Sequence, residues 1–452
     1  MKAAWVGSVA LVVACGARTA LLPGGAAGDG SGGTSSGGGS GSGGTPGLLM
    51  VKCPAALQAG APTPTLGFCS TRANQAAALA PAAPSVAWTA QPFVISNPED
   101  YLPAQVVVDA SGRSYVLVNA SPTNAAGGPN RLTALDPDGS VAWTTDLPTQ
   151  GSGLSIGADG TLWALAGELY AFDATGAVAE RLDVAPDQLD GSAPPGGFAF
   201  DAFAIAADGT FFLAGLQGGT VEHLAPSGLL LWAGNGVGGG SFDDGVIAVE
   251  ASDAIVVGGD GSELYGYASD GSRAWIGGSL RNFGVDADGN VVGLNATLGD
   301  SDASVTTLDP LGNELRAVPL PAQTYNATGL ALAADGTQVA LLANEIASPG
   351  LIKSHLIVTA IDGAGAVRWS TPLDETLTYD PADLTTHYGI FVDVAGRVIV
   401  TAGAVTALDL ASGAVDWTLP PASPRQCLRP VVLGANGSLV GTQCDGTVFL
   451  AR

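Results

Sequence analysis

From about residue 84 onward the chain is written in short apolar runs separated by small polar turns. Ala407 to Trp417, ALDLASGAVDW, is the clearest case: one run stops at Asp409, a tight turn falls at Ser412-Gly413, and a second run ends on Trp417. Versions recur as ALDPDGSVAW ending at Trp143, APSGLLLW at Trp232, ASDGSRAW at Trp275 and AIDGAGAVRW at Trp369. Short apolar runs bounded by glycine-bearing turns predict strands, and helix-period patterns are hard to find anywhere in the chain.

The runs group in fours. A first turn carries Ser111-Gly112, Asp159-Gly160, Asp208-Gly209, Asp288-Gly289, Asp335-Gly336, Ala395-Gly396 or Asn436-Gly437. Such pairs favour hairpins because glycine supplies the positive φ that tight turns require. A later turn carries Gly139, Gly176, Gly228, Gly271, Gly312, Gly365 or Gly413. Complete groups begin near residues 105, 153, 202, 245, 281, 328 and 388, a spacing suited to propeller blades. An eighth group starts near Leu428 and holds three strands, LRPVVLG, SLVGTQ and TVFLAR, without the Gly-x-x-x-Trp strand. That strand stands instead at Pro84 to Trp88, PSVAW, which matches GSVAW at 139–143. The expected fold is therefore all-β: an eight-bladed β-propeller of four-stranded blades, closed by an N-terminal strand that completes the last blade and leaves no unpaired seam.

Composition agrees, with 66 glycines and 13% charged residues in 452. The formal charge of −25 repels a polyanion and argues against nucleic-acid binding. Five cysteines stand at 15, 53, 69, 427 and 444. Cys53, Cys69, Cys427 and Cys444 are disulfide candidates; four cysteines allow three pairings, and proximity favours Cys53 with Cys69 and Cys427 with Cys444.

Residues 1–14 read as a signal peptide, with Lys2 before a short apolar run that is too short to span a bilayer. Val12-Val13-Ala14-Cys15 resembles a bacterial lipobox, which implies lipidation at Cys15 and a lipid-anchored, extracytoplasmic protein. Gly16 after the cysteine points, by resemblance to Gram-negative sorting, to the outer membrane or cell surface. Residues 15–47 are a Gly/Ser-rich tether that cannot build a core. Its Gly24 to Gly47 stretch spans roughly 25–30 Å as a coil and roughly 80 Å fully extended. Residues 48–83 form a cysteine-containing strap, in which a Cys53–Cys69 bridge would contribute about 3 kcal/mol of loop entropy. The propeller is assigned to 84–452.

The pattern Ala-x-Asp-x-x-Ser/Thr-Gly-x-x-x-Trp resembles the tryptophan-docking repeat of quinoprotein-like (PQQ-like) eight-bladed propellers. Ala407, Asp409, Ser412, Gly413 and Trp417 match it in full, whereas the units at Gly176 and Gly312 have Glu180 and Arg316 in place of the tryptophan. On this reading Trp88, Trp143, Trp232, Trp275, Trp369 and Trp417 are blade-docking residues, each packed between blades and hydrogen-bonded through its indole N–H. The plan of lipobox followed by ring is also similar to the propeller lipoprotein of the outer-membrane β-barrel assembly machinery; the long tether and extra cysteines depart from it.

In a four-stranded meander the first and third turns share one face, and the longer connections share the other. The long connections are read as loops at Ala120 to Asn130, Asp183 to Asp201, Gly234 to Asp244, Ala296 to Ala303, Ile346 to Lys353 and Leu373 to Thr386. They carry Asp190, Phe198, Phe200, Phe242, Asp243, Asp244, Asp374, Glu375, Tyr379 and Asp380, a candidate acidic binding face. No catalytic, cofactor-binding or metal-binding residue is assigned. The quinoprotein resemblance implies a quinone-dependent enzyme as one alternative, but there is no Cys-Cys pair on which to carry over a site. His223, His355 and His387 are scattered, and Asp286-Ala-Asp288-Gly-Asn290 is similar to the opening of a calcium loop without its downstream glutamate. The expected function is a monomeric interaction scaffold with a protein or cell-surface partner, held on a membrane by its lipid; a sensor or adhesion module for glycans or peptides is the other alternative.

Overall fold

The computed structural model describes residues 57–59, 61, 63, 65, 74–76, 78–93, 101–120, 130–182, 184, 200–215, 220–235, 246–249, 254–258, 263–295, 303–321, 326–348, 351–377, 388–421, 428–443 and 445–452. All of them fall in the unit that spans Leu48–Arg452. They form eight four-stranded antiparallel sheets, each a blade. Blades 1 to 7 take their strands consecutively, from residues 101–147, 153–182, 200–235, 246–279, 281–319, 326–377 and 389–419. Blade 8 takes Val432–Leu433, Leu439–Thr442 and Val448–Ala451, and its fourth strand is Val86–Ala90. Trp88 stands opposite Leu450, Thr89 opposite Phe449 and Ala90 opposite Val448. Ser85 and Arg452 exchange backbone hydrogen bonds of 2.9 and 3.0 Å where the other blades have a turn. The ring is thus closed by the N-terminal strand, as the displaced PSVAW motif predicts.

The first strands of neighbouring blades approach one another in order: Tyr101–Val108 meets Gly153–Ile156, and so on to Asn326–Leu332 with Gly389–Val392, while Val432–Leu433 meets Tyr101–Val108. They therefore line the ring axis. Second and third strands are sandwiched on both faces, so they read as continuous apolar runs: Ile255–Gly258 and Leu439–Thr442 are buried throughout. Fourth strands lie at the rim and are exposed or half-buried over most of their length, as in Val86–Ala90 and Val141–Leu147. The core divides into eight clusters of the described residues, each shared between adjacent blades. The seam is no exception. Phe391 and Ile399 of blade 7 pack with Leu433, Leu439 and Phe449 of blade 8, and Val440 and Leu450 of blade 8 pack with Val106 and Val116 of blade 1.

The turn glycines of the first and third turns have φ from 71° to 92°. Aspartates close these turns: Asp109 Oδ1 accepts from the backbone of Ser111 and Arg113, and Asp173 Oδ1 from that of Thr175 and Ala177. Part of the chain's acidity is therefore turn chemistry.

Blade 6 departs from the expected loops. Its second, third and fourth strands, Gln338–Ser348, Leu351–Ile361 and Val367–Leu377, have eleven residues each, against five in the corresponding strands of blade 7. Of the segments read as loops at 346–353 and 373–386, the described residues are strand, while 349–350 and 378–386 lie outside the described residues. Ser348 pairs with Leu351, and His355 with Asp374, so the ladder runs on where a connection was expected. The extra length, roughly 20 Å of strand, extends toward the long-connection face.

Residues of the 57–80 region cross the tight-turn side of the ring. Leu57 and Thr65 form bridges to Gly157 and Ser155 of blade 2, and Thr63 forms one to Val108 of blade 1. Thr63 Oγ1 donates to the Leu433 carbonyl of blade 8 at 2.8 Å. Gln75 bridges Val392 of blade 7 in the parallel sense, and Asn74 Nδ2 donates to the Leu330 carbonyl of blade 6 at 2.7 Å.

Candidate interaction surfaces and the blade-docking ladder

The rim tryptophans form a ladder around the ring. The ring of Trp88 lies against Gly139, Trp143 against Gly176, Trp232 against Gly271, Trp275 against Gly312 and Trp369 against Gly413. Each step runs from one blade's fourth strand to the third turn of the next. A Cβ at Gly413 would stand 2.5 Å from the Trp369 ring, so only glycine lets the indole approach the turn. Four of these indoles donate to the carbonyl of the second turn residue: Trp88 to Pro137, Trp232 to Ser269, Trp275 to Pro310 and Trp369 to Leu410, at 2.8–3.1 Å. Thr145 and Thr371, two residues beyond Trp143 and Trp369, add hydroxyl bonds to the carbonyls of Gly176 and Gly413.

Two tryptophans differ from the expected hydrogen bonding, because the indole N–H groups of Trp143 and Trp417 have no acceptor among the described residues. At Trp143 the Ala174 carbonyl, which stands at the turn position the other indoles use, accepts from Arg113 Nη1. At Trp417 the next blade is the closing blade, where Ser85 pairs with Arg452 and no glycine turn exists.

The two units without tryptophan diverge. Arg316 takes over the role: it lies against Gly365, and its Nη1 donates at 2.7 Å to the Gly363 carbonyl, the same turn position the indoles use. Sequence reading sees the missing tryptophan there but not the substitute, whose flat, cationic donor group does the same work. Between blades 2 and 3 no substitute occurs among the described residues; Leu182 lies against Gly228, and Glu180 is exposed. The same interface contains Glu222, which is 4% exposed and has Leu213 as its cross-strand neighbour. Burial pushes its carboxyl up to about 7.

His223 stacks on Phe212 with ring centroids 4.1 Å apart, and its Nε2 lies 2.7 Å from Thr210 Oγ1. Thr210 in turn donates to Asp208. This chain belongs to the wall of blade 3. His355 lies on the third strand of blade 6, and His387 is outside the described residues. The calcium-like stretch is a blade turn: Asp286 accepts from the backbone of Asp288 and Asn290 and from the Asn290 side chain. No group of three metal-ligating side chains gathers among the described residues.

Of the candidate acidic face, Phe200 begins the first strand of blade 3, and Asp374 and Glu375 lie on the fourth strand of blade 6, opposite His355 and Ser354. Asp190, Phe198, Phe242, Asp243, Asp244, Tyr379 and Asp380 lie outside the described residues. So do Cys15, Cys53, Cys69, Cys427 and Cys444. Among the described residues, no helix is long and apolar enough to cross a membrane.

An eight-bladed ring whose blades dock through a Gly-turn and a rim tryptophan or its substitute defines the PQQ-like repeat propellers. Residues 165–419 match the family model described as outer membrane protein assembly factor BamB, and the chain belongs to that family. Among solved structures, BamB from Moraxella catarrhalis is similar at 16% identity, over 82% of this chain and 97% of that one, with a TM-score of 0.50. Sqt1 from Saccharomyces cerevisiae is similar at 9% identity, over 80% of this chain and 99% of that one, with a TM-score of 0.53. At these identities the likeness is one of fold. No curated protein matches the chain.

Proposed function

We propose that the chain is a lipid-anchored, extracytoplasmic propeller that acts as a protein-interaction scaffold at the outer membrane or cell surface, as a monomer. The observation that carries this reading is family membership, since the family is described by a role in outer-membrane protein assembly. The lipobox ending at Cys15 and the tether behind it supply the anchor in this reading. The partner surface is the long-connection face, where blade 6 extends its ribbon and where Asp243, Asp244 and Asp380 occur in the sequence. Acids on a scaffold surface steer and select a partner more than they hold it. The remaining cysteines, Cys53, Cys69, Cys427 and Cys444, pair as disulfides in this reading and brace the strap and the closing blade.

The test is crosslinking of the native lipoprotein in membranes, followed by capture. Envelope proteins should be recovered with the unaltered chain and lost with the triple variant D243K/D244K/D380K. C15S should move the protein from the membrane to the soluble fraction. An unchanged set of partners after charge reversal would overturn the assignment of the face.

A further inference from the structure

On the opposite, tight-turn face, the chain lays one of its own segments along the axis-lining edge of blade 7. The Ala76 N–H donates to the Val392 carbonyl at 2.8 Å, and the Val392 N–H to the Asn74 carbonyl at 2.9 Å. Further along, the Val394 N–H donates to the Ala78 carbonyl. Both polar groups of Ala80 are then gripped. Its N–H donates to Asp393 Oδ2 at 2.8 Å, and its carbonyl accepts from Arg397 Nη1 at 2.5 Å. Asp393 is 1% exposed and is held by the turn it caps, so the grip is built into the blade.

Alanines stand at alternate positions 76, 78 and 80, and Gln75 is buried as well. Ala76 and Ala80 are buried in the cluster shared by blades 7 and 8, with Ala78 packed against it, while Leu79 is 52% exposed. The inward positions are all occupied by alanine. The segment is held mostly through its backbone, with the Asn74 side chain bonded to the Leu330 carbonyl, and its alanines bury only methyl groups. An open concavity of about 360 Å³ beside Leu79, Ala80 and Pro81, bordered by Asn436, Gly437 and Arg452, leaves room next to it.

We propose that the inner edge of blade 7, with Asp393 and Arg397, is a peptide-binding cleft for extended segments with small residues at alternate positions, and that residues 74–81 are its resident, displaceable occupant. Backbone addition to a strand edge, with side-chain pockets at every second residue, is a general mode of peptide recognition. A partner segment of the same pattern would compete against a tethered occupant whose effective concentration is of order mM. This site lies across the ring from the long-connection face and does not depend on the scaffold reading.

The test uses the full chain and a fluorescent peptide with the sequence of residues 74–81. The variant A76D/A80D places charged side chains in the buried methyl positions and expels the resident segment. Its affinity for the peptide should exceed that of the unaltered chain by roughly tenfold or more, because the competing state is removed. Adding R397A should abolish binding, and R397K should restore part of it. No binding by a folded A76D/A80D variant would overturn the proposal. If that variant does not fold, amide hydrogen exchange on the unaltered chain decides. Val392 and Val394 should exchange while Ile399, in the next strand, is still protected. Exchange of all three together would overturn displacement.

Discussion

The interface between blades 6 and 7 and the seam between blades 7 and 8 are built from the same sequence motif and end differently. At the first, Trp369 lies over Gly413, donates to the Leu410 carbonyl at 2.8 Å, and is reinforced by Thr371. At the second, Trp417 belongs to the unit that matches the repeat most fully, yet its indole N–H finds no acceptor among the described residues. The difference lies in the receiving blade. A docking tryptophan needs a glycine turn with a free carbonyl, and blade 8 has the Ser85–Arg452 pairing in that place. The quality of a motif therefore does not predict the strength of the joint; the joint is a property of two blades.

That contrast can be broken by substitution. Trp369→Ala should cost about 3–5 kcal/mol in unfolding free energy, since ring packing and a hydrogen bond are both lost. Trp417→Ala should cost clearly less, and equal losses in urea denaturation would count against the account. The interface between blades 2 and 3 offers a second contrast, because it lacks the ladder and buries Glu222. The Glu222 carboxyl has a folded pKa raised from 4.5 to about 7. Below the unfolded value both states hold the proton and the group costs nothing. Above it the unfolded state ionises first, so the cost grows with pH and levels off above about pH 7. Glu222→Gln should therefore stabilise by about 2–3 kcal/mol at pH 8 and change little at pH 4, read from thermal midpoints across pH.

Smaller effects sharpen the picture. Trp369→Phe should cost about 1 kcal/mol for its lost hydrogen bond, whereas Trp417→Phe should be near neutral, since it removes a donor without a partner. The turn aspartates set an acid limit. Hydroxyls of Ser140, Thr175 and Ser272 donate to Asp138, Asp173 and Asp270 and hold these carboxyls below the usual range. Their contribution is present above the unfolded pKa and is lost as pH falls through the lower folded value. Thermal midpoints should therefore decline below about pH 4, each aspartate adding a small share.

Much of the ring was legible in the sequence because its repeat is a local code. Asp-Gly and Ser-Gly turns fix hairpins, and continuous apolar runs mark strands buried on both sides. The displaced PSVAW revealed the closure because a missing strand and a surplus strand are complementary facts. What escaped the sequence involves long-range geometry. Arg316 acts as a docking residue only because a turn carbonyl of blade 6 stands 2.7 Å away. Arg113 donates across a blade boundary to the Ala174 carbonyl, the turn position that indoles use elsewhere. The extension of blade 6 reads as loops because Lys353, Asp374 and Glu375 interrupt the apolar pattern that marks the inner strands. The candidate binding face was legible only as composition, since acids on long connections do not specify a geometry.

The central claim is that Val86–Ala90 closes the ring as the fourth strand of blade 8. Site-resolved hydrogen exchange on the full chain tests it most directly. The account predicts that amides of Val86–Ala90 and Val448–Ala451 that bond across this pair become exposed only with the unfolding of blade 8 as a whole. Exchange of Val86–Ala90 at the rate of an unpaired strand, while Leu439–Thr442 stays protected, would contradict it.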